Sequence, residues 1–384
     1  MKISRHVQAL PASGIRKMFD LAAGYENVIN LCIGEPDFPT PQNIIDAGCY
    51  ALNHGYTKYV ANAGLPELRE AVAEKAEACN HIPCRTDNVM ITNGAGQSLM
   101  SVLQCLLEPG DEVIVPDPGF PNYLGYLMLA QAKIVTVPTY EEYAFHMRAE
   151  DIRKAITPKT RVILINSPCN PTGAVIDREE LIEIGKLAVE NDIMIVSDEP
   201  YEAILYDGRI PFSLASVPEY RDHVITVNSF SKSYAMTGWR VGYTIGPEEL
   251  IRSMTLLQES LTSSVNAAAQ YAASRALRED QSPVERMRKT YEERRDALVK
   301  GLNEIKGVSC ARPEGAFYAF VNIKGTGMTS EELAGKLVEE CQVVTTPGTA
   351  FGACGEGYIR ISYASATDVL EEAIVRMKGV LGEK

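Results

Sequence analysis

The residues best suited to chemistry lie in one stretch, from Ser229 to Arg240. This stretch contains Ser229, Ser231, Lys232 and Arg240, and it follows an apolar run over residues 223–229 that predicts a buried strand. Hydroxyl groups and a guanidinium can hold a phosphate, and a lysine amine can form a Schiff base with an aldehyde. From these residues alone, an ordinary solvated loop is an equally good interpretation.

Two further groups follow other predicted strands, where ligands bind in open α/β sheets. Ala95, Gly96 and Gln97 come after a strand over residues 89–92 and begin a helix. The first backbone N–H groups of such a helix can bind an anion. Asp198 comes after a strand over residues 193–196. It either caps the next helix or pairs with a positive charge on a ligand, because an unpaired buried carboxylate is unfavourable.

Two positions flanked by prolines complete the set. Phe120 lies between Pro118 and Pro121, and it offers either a flat surface for a ligand or an ordinary buried side chain. Asn170 precedes Pro171 in a stretch that holds its amide rigidly. An amine, two phosphate-binding groups, an aromatic ring, an amide and a carboxylate suit a phosphorylated aromatic aldehyde with a basic ring nitrogen. Pyridoxal 5′-phosphate fits that description.

The elements that would position these residues alternate between short apolar strands and helices from about residue 88 to residue 245. This pattern favours an α/β fold with a doubly wound, mostly parallel sheet. From residue 283 the pattern changes to a long charged helix, three strands near 308–312, 316–323 and 357–364, and two more helices. We therefore predict a large cofactor-binding domain over residues 48–282. Residues 1–47 and 283–384 would form a smaller α+β domain.

Composition restricts the class of protein. The net charge of −13 argues against nucleic acid or an anionic membrane as the main partner. Nine cysteines without a CxxC pair and only five histidines argue against a metal site and favour reduced thiols. With no apolar run near 18 residues, we expect a soluble cytoplasmic protein. Cys169 is either a redox site or, as we favour, a buried spacer.

Eight short motifs resemble one family over essentially the whole chain, the fold-type I, pyridoxal-phosphate-dependent class I/II aminotransferases of the aspartate aminotransferase-like superfamily. The matching stretches are IGEPDF at 33–38, Y-x4-GLPELR at 59–69, NPTG at 170–173, SDExY at 197–201, SxSK at 229–232, GWRVG at 238–242, PEGAFY at 313–318 and YIRIS at 358–362. The resemblance implies transfer of an amino group from an L-amino acid to a 2-oxo acid by a ping-pong mechanism. A carbon–sulfur β-lyase on the same fold is the alternative.

The resemblance also implies a role for each candidate residue. Lys232 would form the aldimine and act as general base, and Asp198 would keep the ring nitrogen protonated. Tyr201 and Asn170 would bind the phenolic oxygen, and Phe120 would stack on the ring. The phosphate would be held by Ala95, Gly96, Gln97, Ser229, Ser231 and Arg240.

Three more implied roles concern the substrate and the assembly. Arg360 would bind the substrate α-carboxylate with help from the Gly34 backbone and Asn170. Tyr59 would reach the phosphate of a neighbouring subunit, which implies a homodimer with shared active sites. Gly96 stands where some aspartate-preferring relatives carry a lysine, so the resemblance does not extend to a preference for aspartate.

Overall fold

The computed structural model of the chain describes residues 3–10 and 14–384. Its helices are α1 (Arg5–Gln8), α2 (Gly14–Ala22), α3 (Gln42–Asn53), α4 (Pro66–Asn80), α5 (Ala95–Leu106), α6 (Asn122–Leu129), α7 (Ala149–Ala155), α8 (Arg178–Glu190), α9 (Phe230–Ser233), α10 (Glu248–Leu261), α11 (Ala267–Arg278), α12 (Ser282–Asn303), α13 (Ser330–Cys341) and α14 (Thr367–Leu381). Its strands are β1 (Ile29–Asn30), β2 (Val89–Thr92), β3 (Glu112–Asp117), β4 (Lys133–Pro138), β5 (Thr160–Asn166), β6 (Met194–Asp198), β7 (Val224–Ser229), β8 (Gly242–Ile245), β9 (Ser309–Cys310), β10 (Tyr318–Asn322), β11 (Val343–Val344), β12 (Thr346–Pro347) and β13 (Tyr358–Ser362).

A seven-stranded sheet in the order β2-β8-β7-β6-β5-β3-β4 forms the centre of the molecule. Strands β7, β6, β5, β3 and β4 pair in parallel, whereas β8 pairs antiparallel with both β2 and β7. Strand β8 therefore runs against the other six. Consecutive residues of β5 pack into different apolar clusters, with Ile163 and Ile165 in one and Val162 and Leu164 in the other. Both faces of the sheet are thus covered, and the predicted doubly wound α/β fold is confirmed.

A second apolar core surrounds a four-stranded antiparallel sheet in the order β12-β13-β10-β9. Helix α12, the predicted long charged helix, contributes Met287, Tyr291, Leu298 and Leu302 to this core. Strand β1 has only two residues and pairs in parallel with β11. The predicted division at residue 48 falls inside α3, whose Ile44 packs in a core of the large sheet. The domain boundaries stay a prediction.

The strand order brings the candidate residues to one edge of the large sheet. Strands β2, β3, β5, β6 and β7 run in one direction, so the segments that follow them lie at the same edge.

In the described part of the chain, no helix is long and apolar enough to cross a membrane. Across residues 3–10 and 14–384, no group of three or more His, Cys, Asp or Glu residues is arranged to hold a metal ion.

A buried ionic group ties helix α4 to the large sheet. The Glu202 carboxylate accepts hydrogen bonds from the Lys75 ammonium, from Asn80 Nδ2 at 2.6 Å and from Asn228 Nδ2 at 2.7 Å. The Lys75 and Glu202 side chains are 16% and 13% exposed. Because Asn228 Oδ1 in turn accepts from the Ser229 backbone N–H at 2.7 Å, this group also holds the end of β7.

Replacing Glu202 with alanine should leave the Lys75 ammonium in a buried position without its anion. We expect the free energy of unfolding to fall by about 3 kcal/mol, as is typical when one member of a buried ion pair is removed. Urea unfolding of the cofactor-free protein measures it. The control is Glu285→Ala, which removes an exposed pair with Arg288 and should change stability by less than about 1 kcal/mol. Equal effects of the two substitutions would contradict the assigned role of Glu202.

Candidate active site

A cavity of about 370 Å³ opens at the carboxyl edge of the large sheet. All but three of the residues selected from the sequence line it, namely Gly34, Ala95, Gly96, Phe120, Asn170, Asp198, Tyr201, Ser229, Ser231, Lys232 and Arg240. Gln97, Tyr59 and Arg360 are not among the lining residues. Segments that are far apart in the chain therefore meet at one place, as the strand order requires.

Lys232 supplies the amine. It lies in the short helix α9 directly after β7, and its Nζ donates to the Gly34 backbone oxygen at 2.7 Å. Burial lowers the pKa of Lys232 to about 8; the nearby Glu35 carboxylate opposes this shift, and the Arg240 and Arg360 guanidinium groups add to it. A larger fraction of this amine is therefore unprotonated at neutral pH than for an ordinary lysine, which suits it to attack an aldehyde.

Asp198, at the end of β6, is a buried carboxylate with one free oxygen. Oδ2 accepts a hydrogen bond from the Tyr123 hydroxyl at 2.6 Å. Oδ1 is buried and has no hydrogen-bond partner in the part of the chain that the structure describes. Burial raises the pKa of Asp198 to about 7, and the hydrogen bond from Tyr123 opposes the shift. A carboxylate oxygen left without a partner beside a cavity fits a cationic N–H group of a ligand.

A second part of the cavity is suited to an anion. The Ser229 and Ser231 hydroxyls are 2.9 Å apart, and the Arg240 guanidinium donates to the Thr237 and Asn93 backbone oxygens at 3.0 and 3.4 Å. Helix α5 begins at Ala95, so its first N–H groups have no carbonyl acceptor within the helix. Gly94, with φ +78°, allows the guanidinium to lie close, since a Cβ there would be 2.5 Å from Arg240 Nη2.

The side chain of Gln97 makes its hydrogen bonds outside the cavity. Its Oε1 accepts from the Asn93 backbone N–H at 2.6 Å, and its Nε2 donates to Gln258 at 3.0 Å and to Thr262 at 3.3 Å. Its backbone N–H donates to Gly94 O at 3.1 Å. Gln97 therefore supports the loop that begins α5, and a phosphate contact from Gln97 stays a prediction. Tyr59 is 88% exposed on the surface of this chain.

Arg360 lies behind Asn170 rather than in the cavity wall. Its Nη1 donates to Asn170 Oδ1 at 2.9 Å, and its Nη2 donates to the Cys32 backbone oxygen. Tyr318 and Phe351 pack against the guanidinium, with ring centroids 4.5 and 4.7 Å from Cζ. The Arg360 side chain is 1% exposed. It is thus a fixed cation one residue away from the cavity.

Sequence reasoning missed several residues that hold these groups in place. Tyr123 bonds Asp198, and Tyr318 bonds the Tyr201 hydroxyl at 2.9 Å while lying against Gly34. Asn166 donates to the Asp198 backbone oxygen at 2.9 Å, and its Oδ1 accepts from the Asn170 N–H at 2.8 Å. Tyr318 ends the PEGAFY motif, whereas Tyr123 and Asn166 lie outside the eight motifs, and each of the three bonds a residue far away in the chain. Cys169 is buried, and burial raises its thiol pKa, as befits a spacer.

Gly96 leaves room for a tyrosine. A Cβ at this position would be 2.8 Å from the Tyr126 hydroxyl oxygen, so a longer side chain would have to displace that ring. Within the described residues that line the cavity, the cationic side chains are Lys232 and Arg240. The Tyr126 hydroxyl, not a charged side chain, is therefore the group in contact with Gly96.

Known proteins resemble this chain along its full length. The family described as Aminotransferase class I and II matches residues 26–377. An aspartate aminotransferase of Pyrococcus abyssi and aromatic-amino-acid aminotransferase 2 of Thermococcus litoralis are each 46% identical over 387 residues, which is 100% of this chain and 99% of each relative. The solved aspartate aminotransferase of Thermus thermophilus with maleate is 39% identical, with a TM-score of 0.94, and the match covers 99% of this chain and 100% of that one.

These similarities distinguish between the two predicted activities. Full-length relatives at 40–46% identity are named as aminotransferases, which supports amino-group transfer over the carbon–sulfur β-lyase alternative. Members of the family depend in general on pyridoxal 5′-phosphate and use amino acids and 2-oxo acids as substrates. The chain belongs to the aminotransferase class I and II family and is an aminotransferase.

Proposed function

We propose that this enzyme holds pyridoxal 5′-phosphate in the cavity at the carboxyl edge of the large sheet. The observation that carries the proposal is Asp198 Oδ1, which is buried without a hydrogen-bond partner among the described residues and lies in the same cavity as the Lys232 amine. The cofactor supplies an aldehyde that links covalently to amines and a ring that accepts electrons when its nitrogen is protonated. Asp198 Oδ1 would accept the ring N–H, and the group of Ser229, Ser231 and Arg240 would bind the phosphate.

The remaining residues would orient the reacting groups. Phe120 would lie on one face of the ring, and the Tyr201 hydroxyl and the Asn170 amide would hydrogen-bond its phenolic oxygen. The Lys232 amine would act as general base toward the α-proton of the substrate. Its lowered pKa supports this role, because a base is effective when its pKa is near the working pH.

The proposed substrates are an L-amino acid and a 2-oxo acid that use the site in turn. Arg360 would bind the α-carboxylate of each, with the Gly34 backbone and Asn170 beside it. Glycine at position 96, beside the Tyr126 hydroxyl, offers no cation for a carboxylate in the donor side chain, which supports donors whose side chain is neutral. The two relatives at 46% identity are named for different donors, aspartate and aromatic amino acids.

The proposed assembly is a homodimer in the cytoplasm. Tyr59 is almost fully exposed in the single chain, which supports a role in the phosphate site of a second subunit. All nine cysteines are free thiols, which supports a reducing compartment.

The Lys232 amine should capture the free cofactor with an unusual pH dependence. Only the neutral amine attacks an aldehyde, so the capture rate should rise with pH and level off above the pKa of Lys232. We expect a midpoint near pH 8, set by that pKa of about 8, rather than near the ~10.4 of an ordinary lysine. Stopped-flow absorbance after mixing cofactor-free protein with pyridoxal 5′-phosphate measures it. Lys232→Ala should give no capture and no turnover; a variant that retained turnover would disprove the assignment.

Arg360→Lys should weaken substrate binding because lysine cannot make the planar, two-bond contact of a guanidinium with a carboxylate. We expect KM for the amino acid to rise and kcat/KM to fall roughly 100-fold, since hydrogen bonds to charged groups contribute about 1.5–3 kcal/mol. Steady-state kinetics with 2-oxoglutarate as acceptor measure both constants. Arg252→Lys, at an exposed position on α10, is the matched control and should match the wild type. An unchanged kcat/KM in Arg360→Lys would remove this role.

Subunit mixing tests the shared site. In a heterodimer of a Lys232→Ala chain and a Tyr59→Ala chain, one of the two sites combines Lys232 and Tyr59 that are both intact. Mixing should therefore restore high-affinity cofactor sites, detected by titration at limiting cofactor, to about one per heterodimer. If Tyr59 acted in the site of its own chain, each of the two sites would contain one substitution. Mixing would then restore no high-affinity cofactor site.

A further inference from the structure

Tyr123 contacts two of the groups that surround the proposed cofactor ring. It lies on α6, three residues after Phe120, and its side chain is 2% exposed. Its hydroxyl donates to Asp198 Oδ2 at 2.6 Å. The edge of its ring packs against Phe120, with centroids 5.4 Å apart and an interplanar angle of 83°. None of the roles described above uses this residue.

The bond from Tyr123 determines how Asp198 can bind a ligand. A carboxylate has two oxygens, and the tyrosine hydroxyl occupies one of them. The backbone oxygen of Asp198 is separately held by Asn166 Nδ2 at 2.9 Å. Oδ1 is thus the oxygen left to accept a ligand N–H, and the carboxylate cannot rotate without breaking a buried hydrogen bond.

We propose that Tyr123 is a positioning residue that keeps the shared proton on the cofactor ring nitrogen rather than on Asp198. The inference rests on the proposed function, because it requires pyridoxal 5′-phosphate against Asp198. A hydroxyl donor stabilises the ionised carboxylate more than the neutral acid. Burial acts in the opposite direction and favours the neutral acid. The Tyr123 hydroxyl offsets that effect, so the proton stays on the ring, where it makes the ring a better electron acceptor.

The other titratable groups around Asp198 do not supply this function. They are Tyr126 on α6, Tyr201 after β6 and Cys169 after β5, and burial raises the pKa of each, so that all three are neutral near pH 7. The charged side chains lining the same cavity are Glu35, Lys232 and Arg240. Among the described residues, Tyr123 is the side chain with a hydrogen bond to the Asp198 carboxylate.

Tyr123→Phe removes the hydroxyl and keeps the ring against Phe120. The proton should move to Asp198, and the ring should lose its positive charge. That charge lowers the pKa of the Lys232 nitrogen linked to the cofactor, so its loss should raise the pH midpoint of the visible absorbance of the loaded enzyme by about one unit. We expect kcat to fall roughly 10- to 100-fold with KM changed less than threefold. Tyr363→Phe, which removes a buried hydroxyl in the other core, should change neither value.

A cofactor analogue in which carbon replaces the ring nitrogen tests whether the shift in midpoint depends on the ring proton. It has no ring proton to share, so the midpoints of wild type and Tyr123→Phe loaded with it should coincide. Site-specific 3-fluorotyrosine at position 123 keeps the shape of the side chain, but its hydroxyl is a stronger hydrogen-bond donor. With the natural cofactor, it should lower the pH midpoint of the visible absorbance. This variant also tests the inference if Tyr123→Phe does not fold. An unchanged midpoint in both variants, or an equal shift with the analogue, would overturn the inference. Wild-type protein that shows no visible band at all would instead refute the proposed function.

Discussion

A carboxylate buried without a cation is the constraint on which the site depends. Asp198 ends a central parallel strand, is 4% exposed, and its carboxylate accepts a hydrogen bond from Tyr123. Taking a charged carboxylate out of water is costly unless a charged or hydrogen-bonding partner compensates. The described part of the chain leaves Oδ1 without such a partner. A bound group with a cationic N–H would resolve this imbalance, and that requirement selects the kind of cofactor the cavity accepts.

The strand order of the large sheet brings the other candidate residues to the same edge as Asp198. Five strands that run in one direction deliver Asp198, Lys232, Phe120, Asn170 and the start of α5 to one edge. The second core adds Arg360 on β13, whose guanidinium reaches Asn170 across the boundary between the two sheets. Lys232 reaches in the opposite direction, to the backbone oxygen of Gly34 near β1. The site is therefore assembled from both cores, and a change in their relative position would alter the distance between the Lys232 amine and the Arg360 guanidinium.

Much of this arrangement could be predicted from the sequence, and the reasons differ between residues. Strand-end residues such as Asp198 and Lys232 could be placed because the apolar runs before them were short and bounded. Helix α11 could not, because six of its nine buried residues are alanine, so no stripe of large apolar side chains marks it. Strands β11 and β12 have two residues each, too few for a periodic pattern. The bonds of Tyr123 to Asp198 and of Tyr318 to Tyr201 join positions 75 and 117 residues apart, which local patterns do not encode.

The proposed site requires Asp198 Oδ1 to bind a protonated ring nitrogen. Loading the enzyme with pyridoxal 5′-phosphate labelled with ¹⁵N in the ring and recording its NMR spectrum at neutral pH tests this directly. We expect a ring nitrogen signal at the position of a protonated pyridine in the wild-type enzyme, and a signal at the position of a neutral pyridine in Asp198→Ala. A neutral ring in the wild-type enzyme, or a protonated ring that persists in Asp198→Ala, would contradict it.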